Sequence, residues 1–586
     1  MAIGGDLKDG ATEDGWMGFA AREGAFMIVA TPELALERVS WQPLVFAERL
    51  SRSALLRIRP QGCARPLVLR IHRNFPVEFL LGPLKSLLAY AGYAAETRLG
   101  TYDDTLAFAE AGDADAELVW MDLARYQERM NPEAVATWLA ERITDLRART
   151  RAPILVGGGE PPLDISFDAA LGSALSPLPG VRLVPRFPLA QELGEAYWDS
   201  RLQAVGATRL SDAAALSQAR ELGLAWIPAA LQPRLKALAV DLDGTLYRGV
   251  LAEDGAEGLE LSEAHAQLQR RILALKEEGL FLALVSRNEP ADVEILFEAR
   301  PDFPLRREHF SAFEVSWGSK ADAIRRAAAH LHIATDAILF VDDNAGELGA
   351  VASAHPSIRL LAAGDPAETL RGLRWYPGLT RWAESGSDSI RAADLAANEV
   401  RASLASEAVD PRAYLHSLQV RLDFALDPTD QRVRLAELSA KTNQFNLSLR
   451  RLTEVDIAQR AADPECAAVT AALTDRLSNS GVILGLFARR EGETLVVEEL
   501  CISCRALGRG LEDTMFTEAV NGILSRLPAR RVAIEYALGP RNAPAREWLS
   551  RFARVNLENS GRLDLDWDRE ARTRQVEALP VECTWR

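Results

Sequence analysis

Apolar residues fall along this chain in short unbroken runs, each closed by Gly, Asn, Asp or Ser and set apart by stretches with helical spacing. ALAV ending at Val240, FLALV ending at Val285 and AILFV ending at Val341 are apolar at every position, as strands buried on both faces of a parallel sheet are. Upstream, PLVLRIHRNFP predicts a strand and turn, EFLLGPLKSLLAYAG a helix and AAETRLGTYDD a strand and turn. AELVWMDLARY, a long helix to about Arg149 and APILVGGGEPP follow, and this alternation predicts a small parallel-sheet domain. PELALERV and PLVFAERLSRSALLRI have amphipathic helical spacing, and EAYWDSRLQAVG and SDAAALSQARELGLAW predict a helical connector.

The last third follows a different order. LQVRLDF predicts a strand, QRVRLAELSAKTNQ and TEVDIAQRA helices, and AAVTAALTDR, GVILGLFARR and ETLVVEELCISC three successive strands. A helix at GLEDTMFTEAVNGIL, a strand at VAIEYAL and a helix at NAPAREWLSRFA close the series. The expected architecture is α/β multidomain: an amino-terminal mixed segment (1–62), an α/β domain (63–188), a helical connector (189–233), a Rossmann-like domain (234–383), a polar linker (384–416) and an α+β domain (417–586).

Candidate chemistry concentrates where the central strands end. The first delivers Asp241 and Asp243 into a Gly-Thr turn, and ligands of open α/β sheets gather at the carboxyl ends of strands. One carboxylate can serve as nucleophile and the other as acid/base beside a divalent cation. The second strand ends at Ser286 with Asn288 behind it, and a hydroxyl there can hold a phosphoryl oxygen. Lys320 opens a predicted helix, where an ammonium and unpaired backbone N–H groups can face an anion. The third strand releases Asp342 and Asp343, which supply the remaining metal carboxylates. The segment from Tyr247 to Gly258 is too short for more than a small flap, so the site is expected to be open to a substrate carried by a protein surface.

A net charge of -16 over 586 residues, without a long Lys/Arg run, argues against a nucleic-acid surface. The five cysteines (Cys63, Cys466, Cys501, Cys504, Cys583) are odd in number and irregularly spaced, which suits reduced thiols in a cytoplasmic protein. Cys501 and Cys504 form a C-x-x-C with no second pair and no His cluster, so zinc is not expected. The acidic start MAIGGDLKDGATEDG lacks signal-peptide character, and no apolar run reaches the roughly 18 residues that span a bilayer.

In the last third, Arg505, Gly508, Arg509 and Gly510 form an R-x-x-G-x-G turn between a strand and a helix, a place where backbone N–H groups bind phosphate. Cys504 precedes it. A thiolate there would be favoured by Arg505, Arg509 and the helix start, making Cys504 a candidate acyl acceptor; a buried cysteine acting as a small hydrophobe is the other reading.

The central set Asp241, Asp243, Ser286, Lys320, Asp342 and Asp343 resembles the haloacid dehalogenase superfamily. The resemblance implies Mg²⁺, phosphorylation of Asp241, acid/base work by Asp243, a phosphate held by Ser286, Asn288 and Lys320, and a metal held by Asp241, Asp243, Asp342 and Asp343. The first α/β domain resembles a degenerate SGNH-hydrolase domain, with His72-Arg73-Asn74 where the nucleophile turn would stand. The last third resembles the GNAT acyltransferase fold, without the tyrosine that many such enzymes carry in the NAPAREWLSRFARV helix; its turn would bind the phosphate of coenzyme A or phosphopantetheine. Together DLDGTLYRGVLAEDG, SRNE, FVDDNAGE, KTNQFNLSLRR and CISCRALGRG resemble the FkbH-like family. Members usually show D-L-D-N-T-L-W-G-G in the first motif, where this chain has Gly244, Tyr247 and Arg248.

That resemblance implies a glyceryltransferase/phosphatase. D-1,3-bisphosphoglycerate would be dephosphorylated and its glyceryl group loaded on the phosphopantetheine arm of an acyl carrier protein for polyketide assembly; the position of Cys504 makes it the expected thioester carrier. Two alternatives remain: a phosphatase of another small phosphometabolite joined to a CoA-dependent acyltransferase, and a non-catalytic scaffold for carrier proteins.

Overall fold

The computed structural model describes residues 31–59, 64–127, 129–202, 208–382, 386–407, 410–539 and 541–586. The acidic start, Cys63 and the carboxyl end of EAYWDSRLQAVG lie outside them. Three sheets organise the rest. The first holds β1 (Arg65–Arg73), β2 (Tyr93–Tyr102), β3 (Ala116–Trp120), β4 (Ile154–Gly157) and β5 (Val181–Val184), all parallel in the order β2-β1-β3-β4-β5. The second holds β6 (Ala237–Val240), β7 (Phe281–Ser286), β8 (Ala312–Val315), β9 (Ile338–Asp342) and β10 (Arg359–Ala362), also parallel, in the order β10-β9-β6-β7-β8. β6, β7 and β9 are buried at every position, which is why their sequences do not alternate.

The third sheet contains β11 (Val420–Leu426), β12 (Cys466–Thr474), β13 (Asn479–Glu491), β14 (Thr494–Ile502), β15 (Arg531–Tyr536), β16 (Gly561–Leu565) and β17 (Val581–Trp585), in the order β16-β15-β14-β13-β12-β11-β17. It is antiparallel except where β14 meets β15 and β11 meets β17. β16, β17 and the helix Arg569–Glu577 were not expected from the sequence. Trp585 stacks on Phe424 at 5.0 Å and brings the carboxyl-terminal strand to the sheet edge.

The first two sheets share one hydrophobic core. Phe46, Tyr90 and Tyr376 meet within it, with Phe46–Tyr90 centroids 5.4 Å apart. The helix Pro32–Val45 belongs to this body. Gln42 donates to Leu360 O at 2.7 Å and accepts from Ala362 N at 2.9 Å, so one side-chain amide satisfies an edge of β10 as a neighbouring strand would. The connector contains a short turn at Gly194–Tyr197 and then the helices Asp212–Arg220 and Ile227–Leu231, joined by a wider turn at Glu221–Trp226.

The polar stretch after the second sheet is helical, Gly386–Glu407, and locks onto the third domain. Arg401 pairs with Asp394 at 3.1 Å and with Asp475 at 2.9 Å. No helix among the described residues is long and apolar enough to cross a membrane.

Candidate phosphoryl-transfer site

β6 ends one residue before Asp241, and β9 ends on Asp342, its hydrogen-bonded neighbour in the parallel sheet. Asp343 follows, and one oxygen from each of Asp241, Asp342 and Asp343 lies within 4.8 Å of the others. Asp342 is held in place when its Oδ1 accepts from Asn344 N at 2.8 Å, while Asn344 caps the helix Ala345–Ala354. The D-D-N-A string therefore both turns a carboxylate inward and starts a helix.

Lys320, first residue of the helix Lys320–His330, is buried between the two inner acids. Its Nζ lies 2.9 Å from Asp241 Oδ2 and donates to Asp342 Oδ2 at 2.6 Å. Burial opposes the ammonium, but the two carboxylates more than offset it, and its pKa lies above the ordinary lysine value. Burial pushes Asp241 up to about 6 even though Lys320 pulls the other way. Burial likewise raises Asp342 and Asp343, the latter further under the charge of Asp241. One ammonium does not neutralise three carboxylates, and the remaining demand for positive charge is what a divalent cation meets.

The donor set suits a hard cation, being all carboxylate oxygen. A second observation agrees. Gly244 stands in the turn with φ 70°, and a Cβ there would run into the Asp343 carboxylate, so the absent side chain leaves room for the third acid. Thr245 Oγ1 in the same turn is buried without a hydrogen-bond partner. Asp241, Asp342 and Asp343 are thus the residues that would hold Mg²⁺.

Two expectations are corrected here. Asp243 stands outside this trio: its Oδ1 accepts from Tyr247 Oη at 2.7 Å and Leu251 N at 2.9 Å, and its Oδ2 from Asn288 Nδ2 at 2.8 Å. Its carboxylate is turned to these three donors and lies outside the cluster of acids that could hold a metal, so Asp243 is not one of the metal carboxylates. Asn288 Nδ2 also donates to Ser286 Oγ at 3.1 Å, so both its amide hydrogens are spent within the protein and it is not a phosphate donor. Ser286 accepts that bond and keeps its own proton to donate to a phosphoryl oxygen. Tyr247 and the Leu251 N–H were missed from sequence; the only signal was a hydroxyl four residues past Asp243.

In the third domain Gly508 and Gly510 adopt φ of 82° and 68°, as a tight turn before the helix Glu512–Arg526 requires. Arg509 is buried, with Nη2 3.2 Å from Asp394 Oδ1 and Nη1 3.2 Å from Asp475 Oδ2, so its guanidinium is committed within the chain and does not lend the charge to Cys504 that was expected of it; the phosphate contact expected of this turn runs through its backbone N–H groups. Burial, with Arg401 beside it, lowers the Arg509 pKa. Arg505 lies near Ser503 Oγ at 3.4 Å. Cys504 is half-buried in the turn, two residues past the end of β14, whereas Cys501 is fully buried within the strand and burial raises its thiol.

β14 and β15 pair only from Thr494–Arg531 to Val497–Ile534. Beyond that the chain's own residues 445–447 enter the gap: Leu447 N donates to Leu500 O at 3.1 Å, Ile502 N to Phe445 O at 2.9 Å and Ala537 N to Leu447 O at 2.9 Å. Buried Glu499 fixes this segment by accepting from Leu447 N, Ser448 N, Ser448 Oγ and Arg450 N. Asn446 is consumed in the same framework, its Oδ1 accepting from Leu449 N at 2.7 Å. In the first domain Asn74 and Asp122 satisfy each other locally, Asp122 N donating to Asn74 Oδ1 at 2.8 Å. His72 meets buried Glu117 at 2.9 Å.

The fold and this site define an α/β multidomain protein with an acidic, lysine-bridged centre at the carboxyl end of its middle sheet. No family model matches the chain, and no curated protein matches it. Among solved structures it is similar to the N-terminal part of a Bacteroides fragilis protein containing a phosphatase domain complexed with Mg. Identity is 20%, 56% of this chain and 100% of that one are covered, and the TM-score is 0.45. A HAD family hydrolase from Streptomyces avermitilis shares 20% identity over 25% of this chain and 92% of that one, at a TM-score of 0.18. A glucosamine N-acetyltransferase region of a fungal multi-domain beta-N-acetylglucosaminidase shares 11% identity over 89% of this chain and 68% of that one, at a TM-score of 0.17. All three scores are low, so the description of each domain rests on its own strand order and geometry.

Proposed function

We propose that the middle domain is a Mg²⁺-dependent phosphoryl-transfer centre, and that the whole chain is a glyceryltransferase/phosphatase. It would act on a small phosphorylated three-carbon acid such as D-1,3-bisphosphoglycerate and pass its acyl group to the phosphopantetheine thiol of an acyl carrier protein. The observation that carries the reading is Lys320 held between Asp241 and Asp342, with Asp343 alongside, at the end of a parallel sheet.

In this reading an Asp241 oxygen attacks phosphorus, the bond from phosphorus to the leaving oxygen breaks, and Asp243 gives that oxygen a proton. Water then attacks the aspartyl phosphate, Asp243 takes its proton, and inorganic phosphate leaves. Lys320 has three donors, of which the carboxylates use two, leaving one for a phosphoryl oxygen beside the Ser286 hydroxyl. Mg²⁺ held by Asp241, Asp342 and Asp343 would neutralise charge as the anionic nucleophile nears the anionic phosphate.

Acyl transfer would be separate: the Cys504 thiolate attacks the acyl-phosphate carbonyl, phosphate departs, and the thioester passes to the carrier thiol. A simpler reading, a phosphatase of another phosphometabolite without acyl transfer, is favoured by the pairing of the Arg509 guanidinium with Asp394 and Asp475, which withholds its charge from the Cys504 thiol. Incubation with Mg²⁺ and an acyl phosphate, followed by intact-protein mass spectrometry, separates the two. An acyl adduct lost in Cys504→Ala supports the first; phosphate release with no adduct supports the second.

A further inference from the structure

Asp243 is held by three donors from three elements: Tyr247 Oη in the turn after β6, Leu251 N at the start of the flap helix Leu251–Gly258, and Asn288 Nδ2 after β7. Tyr247 is fully buried, and its ring stacks on Phe303 at a centroid distance of 5.7 Å. Packing alone would be met by phenylalanine; the hydroxyl is spent on Asp243. Burial first, and then the Asp243 charge, raise the phenol far above its ordinary pKa, so it remains a donor.

The flap is tied at its base, where Arg248 and Glu260 exchange backbone hydrogen bonds of 3.0 Å. Its far end is tied by Arg300, which donates to Ala256 O at 3.1 Å and Leu259 O at 2.7 Å. Its inner end, beside half-exposed Val250, is tied to Asp243. Lifting that end withdraws the Leu251 N–H from the oxygen that Tyr247 also holds.

We propose that Tyr247 is a positioning residue for Asp243, and that Asp243 doubles as the catch of the flap, so that the acid/base is set for proton transfer only while the flap is down. The first half rests on the phosphoryl-transfer reading above; the second does not. Since the metal trio leaves Asp243 out, its orientation comes from this hydrogen-bonded shell.

The test uses the full chain with Mg²⁺ and p-nitrophenyl phosphate, comparing Tyr247→Phe, Asp243→Asn and the double variant, with amide hydrogen exchange over residues 247–258. Tyr247→Phe keeps the ring and should lower kcat about tenfold with KM within about twofold, and the double variant should be no slower than Asp243→Asn. Exchange at Leu251 and along the flap should rise in both single variants. An unchanged kcat in Tyr247→Phe, or losses that multiply in the double variant, would overturn the positioning role. Unchanged flap exchange in Asp243→Asn would overturn the catch. An unmodified chain that releases no phosphate counts against the phosphoryl-transfer reading instead, and the exchange arm still decides the catch.

Discussion

Lys320 lies 2.9 Å from Asp241 across the gap between a helix start and a strand end, both deep in the protein. Since Asp342 meets the same ammonium at 2.6 Å, removing the lysine leaves two buried carboxylates without their cation. Breaking a buried pair in this way costs about 3–5 kcal/mol. Lys320→Met should therefore lose roughly that much stability in denaturant titrations with chelator, and recover part of it when Mg²⁺ is added.

Metal binding should depend on pH with a definite sign. Asp241 is raised from 3.8 to about 6, so the folded chain holds its proton more tightly than the unfolded chain does. The stability this contributes is fully present below the unfolded value and is lost as pH rises through about 6. Mg²⁺ competes with that proton. The rise in Tm on adding Mg²⁺ should be small below the Asp241 pKa and grow to a plateau above it, as a thermal-shift series would show.

Gly244→Ala places a methyl group against the Asp343 carboxylate and forces a left-handed residue. The backbone strain should cost about 1–2 kcal/mol. The loss in Mg²⁺ affinity measured by calorimetry should exceed that cost, because one of three ligands is displaced.

Glu499→Ala tests the third domain by itself. Four bonds to residues 447–450 are lost, and the stranded N–H groups should cost that domain about 2–4 kcal/mol. Burial raises the Glu499 pKa, so the cost should be fullest below the ordinary glutamate value and shrink as pH rises through the raised one. Mg²⁺-dependent phosphate release from the middle domain should stay unchanged in the same sample.

Much of the central site was legible because its residues follow strand ends, and an apolar run closed by Asp or Ser declares where the strand stops. Asp241, Ser286 and Asp342 could be placed on one rim from that punctuation, and Lys320 from its position at the start of a helix. What sequence could not give was orientation. Asp243 lies two residues from Asp241 yet turns to Tyr247, Leu251 and Asn288, because the Gly-Thr turn sets its direction. Arg509 likewise carried the right residue type in the right turn, but Asp394 and Asp475 reach it from segments 115 and 34 residues away, and such long-range partners leave no local trace. The shared core of the first two sheets escaped for the same reason, since Phe46 and Tyr376 meet only in the folded chain.

The most direct test of the account is to trap the phosphorylated protein. The full chain, incubated with Mg²⁺ and acetyl phosphate, quenched in acid and digested, should carry one phosphoryl group on the peptide containing Asp241, absent with chelator and absent in Asp241→Asn. A phosphoryl group on any other residue, or one that persists in Asp241→Asn, would contradict it.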